Sequence, residues 1–318
     1  MEMPDTLRGA LAELAEDYPL SKLKQAVSRM TEVYRNESGC DRRLVFRDAD
    51  VAAYALVRMP ATFAAVSAAF SACQKRNMPG LTSVLDVGAG TGAASWAVGS
   101  LLEEDAAFTC LEREPSMIRL GKRLAAGGGI LQNCQWICGD DTQTVAYPEA
   151  DLVVASYTLN ELSEENRKLV LERLWRAAKK VLLLVETGTP TGFCIVRSAR
   201  ETLLKAGAHL IAPCPTEDPC PMEPGDWCHF TARAARSRVH KALKGGDVPY
   251  EDEKFAYAAF SRVPVDGAAA RVLRHPVKEA GRISLQLCTG GGIKTETIYP
   301  GQKALFKLAR KASAGDEF

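Results

Sequence analysis

The sequence has no apolar run longer than a strand requires, no apolar stretch near its start, no C-x2-C pair, no internal repeat and almost no net charge. Each absence removes a class of protein. Without about 20 consecutive apolar residues there is no membrane-spanning helix. The opening MEMPDTLRGALAELAEDYPL carries Glu2, Asp5, Glu13 and Glu16, which fits neither a secretory signal nor an Arg-rich transit peptide, so a cytoplasmic protein is expected. The missing C-x2-C pairs exclude a zinc ribbon. Missing repeats exclude a solenoid. What is present is a 318-residue chain, 47% hydrophobic, long enough for one large domain with attachments or for two. Its net charge of +1 hides an asymmetry: residues 1–190 hold 21 Lys/Arg against 25 Asp/Glu, and residues 191–318 hold 19 against 14. An anionic partner is therefore sought in the C-terminal part.

The pattern is helical from Thr6 to about Asn77, where Leu7, Leu11, Leu14, Leu20, Leu23, Val27, Met30 and Val33 recur at three- and four-residue steps. From Leu81 short β-branched runs alternate with helical spacing: LTSVLDVGAGTG, AFTCLERE, CQWICGDD, ADLVVASYTLNEL and KKVLLLVETGTP read as strands. AASWAVGSLL, PSMIRLGKRLAAGG, EENRKLVLERLWRAA and Thr191 to Gly207 read as the helices between them. Such alternation predicts an α/β fold with a parallel, doubly wound sheet. KFAYAAFSRV resumes a strand, and RVLRHPV, RISLQLCT and IKTETIYP form a small C-terminal β region before a basic tail with Lys303, Lys307, Arg310 and Lys311. The expected division is a helical region at 1–79, a Rossmann-like domain at 80–212, a cysteine-rich insertion with a basic helix at 213–249, a returning strand at 250–265, and a β region with tail at 266–318.

DVGAGTG, Asp86 to Gly92, places glycines where the chain must turn tightly and let a ligand approach the backbone at a helix N-terminus. An acid opens the motif, Glu112 ends the next strand 22 residues past Gly90, and Asp140-Asp141 end the third. Over residues 81–190 this set resembles the class I S-adenosylmethionine-dependent methyltransferases. The resemblance implies that Asp86, Gly88, Gly90 and Gly92 hold the methionine part, Glu112 the ribose hydroxyls, and Asp140 or Asp141 the adenine. After the fourth strand stands SYTLNEL, Ser156 to Leu162, where Tyr157, Asn160 and Glu161 can shape a pocket but none is an activated nucleophile or an obvious base. No catalytic residue is assigned, and cofactor binding is favoured over methyl transfer.

Ten cysteines without an export signal are expected to be reduced thiols. Cys73 and Cys194 in helical patterns and Cys110 in a strand read as small buried hydrophobes. PCPTEDPCPMEPGDWCHF, residues 213–230, is different, because Cys214, Cys220 and Cys228 follow a C-x5-C-x7-C spacing in a proline-rich loop without a core of its own. Thiolate ligation of a metal would tie such a loop down, and soft ligands allow zinc or an iron–sulfur cluster. A fourth ligand is needed. His229 is adjacent to Cys228 and poorly placed for the same metal, which leaves Cys134, Cys138 and Cys288.

Together, AYALVRMPAT at Ala53 to Thr62, DVGAGTG, CPTEDPCPMEPGDWCHF, RSRVHKALKGG and YEDEKFAYAAFSR resemble, over essentially the whole chain, the methyltransferase-like family associated with the small ribosomal subunit. That family comprises assembly factors of the mitochondrial small subunit and bacterial relatives. The resemblance implies a [4Fe-4S] cluster on Cys214, Cys220, Cys228 and Cys288, bound S-adenosylmethionine, and binding to small-subunit rRNA during assembly by a chain that is monomeric off the ribosome. An active rRNA methyltransferase and a zinc-stabilised small-molecule methyltransferase remain as alternatives. After Cys228 come Arg233, Arg236, Arg238, Lys241 and Lys244 with no acid between Asp226 and Asp247, and at helical steps Arg233, Arg236 or Ser237, His240 or Lys241, and Lys244 would line one face. Five phosphate contacts would give a logarithmic salt slope of about −4.

Overall fold

The structure is a computed structural model that describes residues 2–37, 47–76, 78, 80–102, 105–143 and 146–318. Parts of the expected N-terminal helical stretch, residues 38–46 and 77, and with them Cys40, lie outside the described residues. What is described is helical: α1 Asp5–Glu16, α2 Leu20–Glu37, α3 Asp48–Val57 and α4 Met59–Gln74. Helix α1 buries Leu7, Leu11 and Leu14 on one stripe, as its spacing predicts. Helices α3 and α4 are buried nearly all round. Pro60 sits in the first turn of α4, where its missing N–H costs nothing, so it starts a helix rather than kinking one. Among the described residues no single helix is long and apolar enough to cross a membrane. The bent pair α3–α4, at 44°, passes by length and composition only and packs inside the main core.

The α/β part runs β1 Ser83–Val87, α5 Ala93–Gly99, β2 Ala107–Glu112, α6 Pro115–Ala125, β3 Gln135–Cys138, β4 Ala150–Ser156, α7 Glu164–Ala177, β5 Ala178–Thr187 and α8 Pro190–Lys205. It continues with β6 His209–Ala212, β7 Phe230–Ala235, α9 Arg238–Lys244 and β8 Tyr250–Ser261. The sheet order is β3-β2-β1-β4-β5-β8-β6, with β7 also on β8. Strands β1 to β5 are parallel and helices cover both faces, so the doubly wound expectation holds for this half.

The purely parallel sheet is corrected to a mixed one, because β8 runs antiparallel to β5, β6 and β7. One edge of β8 takes β5, while its other edge takes β6 against Ala259 to Ser261 and β7 against Tyr250 to Phe255. The cysteine loop between β6 and β7 thus has both ends hydrogen-bonded to the same strand. Strand β7 also corrects the expected helix beginning at Phe230. Phe230, Ala232 and Ala234 are buried and Thr231, Arg233 and Ala235 exposed, the period-two pattern of a half-buried strand. A helix survives only over the seven residues of α9.

The C-terminal region is an antiparallel sheet of β9 Ala270–Val272, β10 Val277–Glu279, β11 Arg282–Thr289 and β12 Gly292–Ile298, with α10 Lys303–Lys311 against it. It has its own core of Val272, Ile283, Leu285, Leu287 and Ile298. RVLRHPV, expected as one strand, is two short ones divided before Pro276, which cannot donate to a ladder.

Candidate functional site

The strand order reverses between β1 and β4, and doubly wound sheets bind ligands at such a point, beyond the strands' carboxyl ends. The glycine loop stands there. Gly88, Gly90 and Gly92 have φ of 69°, 55° and 87°, a region costly for side-chain-bearing residues. At Gly88 a Cβ would lie 2.4 Å from the Thr158 hydroxyl, so the β1 and β4 turns meet only because this residue is glycine. Asp86 is fully buried beneath the loop, where one carboxylate oxygen accepts from Ser95 N (3.1 Å) and Oγ (2.9 Å) and the other has no partner. Burial pushes its carboxyl up to about 6; Ser95 opposes the shift and Glu112 adds to it. Glu112 accepts Gly90 N (2.7 Å) on one oxygen and Glu114 N (2.8 Å) on the other, bracing the loop from β2. Each oxygen keeps a lone pair for a further donor.

Asp141 is buried, with Oδ1 unpartnered and its carboxyl raised mainly by burial. Burial also opposes ionisation of Asp140, but the Thr142 hydroxyl and N–H more than compensate, and its carboxyl falls below the ordinary range. The sequence-derived acids therefore converge on one end of the sheet, and the environment they make favours a cation. Three further residues there were not singled out in the sequence. Glu186, at the end of β5 and fully buried, takes Leu159 N (2.8 Å) and is pushed up to about 8 by burial. Glu253 on β8 receives both guanidinium nitrogens of Arg58 (2.9 and 3.3 Å) and the Tyr157 hydroxyl (3.0 Å). Tyr157 has φ 56°, strained for a residue with a side chain, and Glu161 is paired with Arg113 (3.6 Å). SYTLNEL is thus pinned from both sides. Its positive-φ tyrosine is the kind of outlier that clusters at functional sites, and no periodicity in the sequence announces it.

Between β6 and β7, and at β11, the structure brings the four chosen cysteines together. Cys214, Cys220 and Cys228 from the loop and Cys288 from β11 line one cavity of about 50 Å³, along with Arg200, Met222 and Tyr257. Cys134 and Cys138, the other candidates, stand at β3 instead: Cys134 Sγ lies 3.4 Å from Cys110 Sγ, and Cys138 is exposed. Of the thiols read as buried hydrophobes, Cys73 and Cys110 are buried, but Cys194 is corrected to exposed because it lies on the outer face of α8.

Arginines hold the loop's backbone. Arg200 donates to Thr216 O (2.9 Å) and Asp218 O (2.6 Å), Arg271 to Pro213 O (2.8 Å), and Arg274 to Trp227 O (3.2 Å). Trp227 Nε1 reaches Gly188 O (3.0 Å), and His229 stacks on Trp227 without pointing a ligand at the cavity. Burial raises the Cys214, Cys228 and Cys288 thiols, with neighbouring thiols adding to the shift. Among the described residues no group of three or more His, Cys, Asp or Glu side chains is arranged to hold a single metal ion. The donor set nonetheless suits a larger thiolate-bound group: four soft ligands, surrounding arginines, and room several times that of one water.

The basic face does not form as expected. Arg233 lies on β7, paired with Asp252 (2.8 Å) and stacked on Tyr250. Arg236 and Lys244 both pair with Glu251 (3.1 and 2.7 Å), which these cations and His240 hold well below the carboxylate range despite its burial. The neutralising acids come from β8, beyond the stretch in which the sequence showed none. Only Arg238 and Lys241 of the five form no ion pair among the described residues. Lys303, Lys307, Arg310 and Lys311 on α10 are exposed.

Comparison with known proteins adds identity to this geometry. A human protein, the ribosome assembly protein METTL17, mitochondrial, is 28% identical over 285 residues, covering 83% of this chain and 61% of its own. A fission yeast (Schizosaccharomyces pombe) protein, Rsm22-cox11 tandem protein 2, mitochondrial, is 24% identical over 215 residues, 52% of this chain and 29% of its own. The chain therefore spans less than two thirds of these relatives. Both are mitochondrial, and they correct the cytoplasmic location expected from the N-terminal composition. Among solved structures, a methyltransferase from Aquifex aeolicus matches at 14% identity and TM-score 0.44, over 69% of this chain and all of its own. Magnesium protoporphyrin IX methyltransferase from Synechocystis, with bound S-adenosylhomocysteine, matches at 16% and 0.42, over 75% and 94%. A family model described as mitochondrial small ribosomal subunit Rsm22 matches residues 48–318, and the chain belongs to that family.

Proposed function

We propose that this protein is a factor in assembly of the small ribosomal subunit that binds S-adenosylmethionine at the glycine loop, holds a [4Fe-4S] cluster on Cys214, Cys220, Cys228 and Cys288, and contacts small-subunit rRNA. The observation that carries the reading is the convergence of the three loop cysteines with Cys288, from a separate sheet, on one cavity in a chain of the Rsm22 family. The human relative, a ribosome assembly protein, supports the ribosomal part. Buried carboxylates around Gly88 to Gly92 suit a sulfonium cation, and Glu112 and Asp141 retain acceptor capacity for ribose hydroxyls and an adenine amine. A bound cluster would cross-link the loop to β11 and so fix the C-terminal sheet against the α/β domain. Methyl transfer is not part of the proposal, because Tyr157 and Glu161 at the end of β4 are engaged with Glu253 and Arg113.

For RNA contact the reading favours Arg238 and Lys241, which have no ion-pair partner among the described residues, and the exposed cations of α10. Arg233, Arg236 and Lys244 reach phosphate only by leaving Asp252 or Glu251. The test is co-sedimentation with small subunits across a salt series. Arg238→Glu with Lys241→Glu should weaken association and reduce the logarithmic salt slope by about 2. An unchanged slope would remove these residues from the interface. A parallel assay for methyl incorporation into immature subunits should stay at background.

A further inference from the structure

Four arginines stand around the cysteine cavity and its loop, and three have carboxylate partners: Arg271 pairs with Glu317 (3.4 Å), Arg274 with Asp226 and Arg197 with Glu201 (3.3 Å). Arg200 has none among the described residues. It lies on α8 only 4% exposed, lines the cavity, and its guanidinium stands against the Cys214 sulfur. One terminal nitrogen is spent on the Thr216 and Asp218 carbonyls, and Nε has no partner. Burying a permanent positive charge with only neutral acceptors is costly, and proteins avoid it by supplying an anion. Neutral thiols do not supply one, whereas a thiolate-ligated centre does, because four thiolates outweigh the charge of a divalent ion.

We propose that Arg200 is the buried counter-ion of a net-anionic group in the four-cysteine cavity and donates a hydrogen bond to it through Nε. The inference rests on the reading of these cysteines as ligands, and it makes Arg200 a positioning residue that sets the group's charge balance and retention. Hydrogen bonds and positive charge at cluster sulfurs stabilise the reduced, more negative state and so raise the potential. The position is marked in the sequence as well, since Arg200 interrupts the buried stripe of Phe193, Val196 and Leu203 on α8.

The test compares anaerobically prepared wild type, Arg200→Gln, Arg200→Lys and Arg197→Gln. Arg197 lines the same cavity but is already paired with Glu201 (3.3 Å), so it serves as the control. In Arg200→Gln the reduction potential should fall and iron should be lost to a chelator several-fold faster. Arg200→Lys should keep the wild-type potential while the loop, with fewer carbonyl bonds, becomes easier to cleave by protease. Arg197→Gln should match wild type. A cluster-loaded Arg200→Gln with wild-type potential and iron loss overturns the proposal. If Arg200→Gln does not fold, a displaced potential in Arg200→Lys overturns it equally. If the wild type holds zinc, the cluster reading falls, and zinc release decides the role of Arg200: faster loss in Arg200→Gln upholds it, equal loss removes it.

Discussion

At one end of the sheet Asp86, Glu112, Asp141 and Glu186 lie buried with few cations, and at the β6–β7 loop Arg200, Arg271 and Arg274 stand around four thiols. Both regions bury ionisable groups that an apolar core would exclude. They differ in sign and in construction. The carboxylate end is built on strand termini and a glycine loop braced by Glu112 at Gly90 N and by Asp86 at Ser95 N. The thiol end is an irregular loop tied down by arginines at its carbonyls, and its cysteines come from that loop and from β11 of the C-terminal sheet. Regular elements are expected to hold the first region's shape whether or not a ligand is bound, whereas an irregular loop of this kind is expected to depend on one.

The largest effect that would break this contrast is expected at the loop. Cys228→Ser should abolish the bound group and open both residues 213–229 and the C-terminal sheet to protease, while Cys194→Ser, at an exposed position, should do neither. Intact protection in Cys228→Ser would show that the arginines alone suffice. Next comes Gly88→Ala, which forces a Cβ to 2.4 Å from Thr158 at a φ of 69°. We expect about 1–3 kcal/mol of local strain and loss of S-adenosylhomocysteine binding in calorimetry, with the loop cysteines' centre retained.

A further effect follows from pH. The Glu186 carboxyl is raised to about 8 in the folded chain from an ordinary 4.5, so the folded state holds its proton longer. Its contribution is fully present below about 4.5 and is lost as pH rises through about 8. Stability in denaturant titrations should therefore fall across that window, and Glu186→Gln should flatten the fall. A Glu186→Gln variant with the same profile would assign the effect elsewhere. The smallest effect is expected at Arg233→Ala, which breaks a solvent-exposed pair with Asp252 and should leave the midpoint of the same titrations almost unmoved.

Much of this architecture was legible because regular elements announce their period. The alternation from Leu81 to Gly207 gave strands, helices and the glycine loop in the right order, and the acid after each strand pointed to its end of the sheet. Strand β7 was misread because FTARAA is rich in alanine and arginine, good helix formers, and its period of two was outweighed by propensity. Strand β6 is four residues between a helix and a proline, too short to show a period. The ion pairs on the basic segment were invisible because Glu251 and Asp252 come from a strand whose register local sequence does not specify. The same holds for Arg58, Glu253 and Arg200, whose roles come from contacts across the fold. Cys288 was left open by spacing and entered through family resemblance; the structure then places it with the loop cysteines at the cavity.

The central claim is that three cysteines of the β6–β7 loop and Cys288 of β11 hold one iron–sulfur centre. Iron, acid-labile sulfide and the visible spectrum of protein purified without air test it most directly. The account predicts a brown protein with about four irons and four sulfides per chain, all lost in Cys228→Ser. A colourless protein carrying one zinc, or one carrying no metal with its loop still protected, would contradict it.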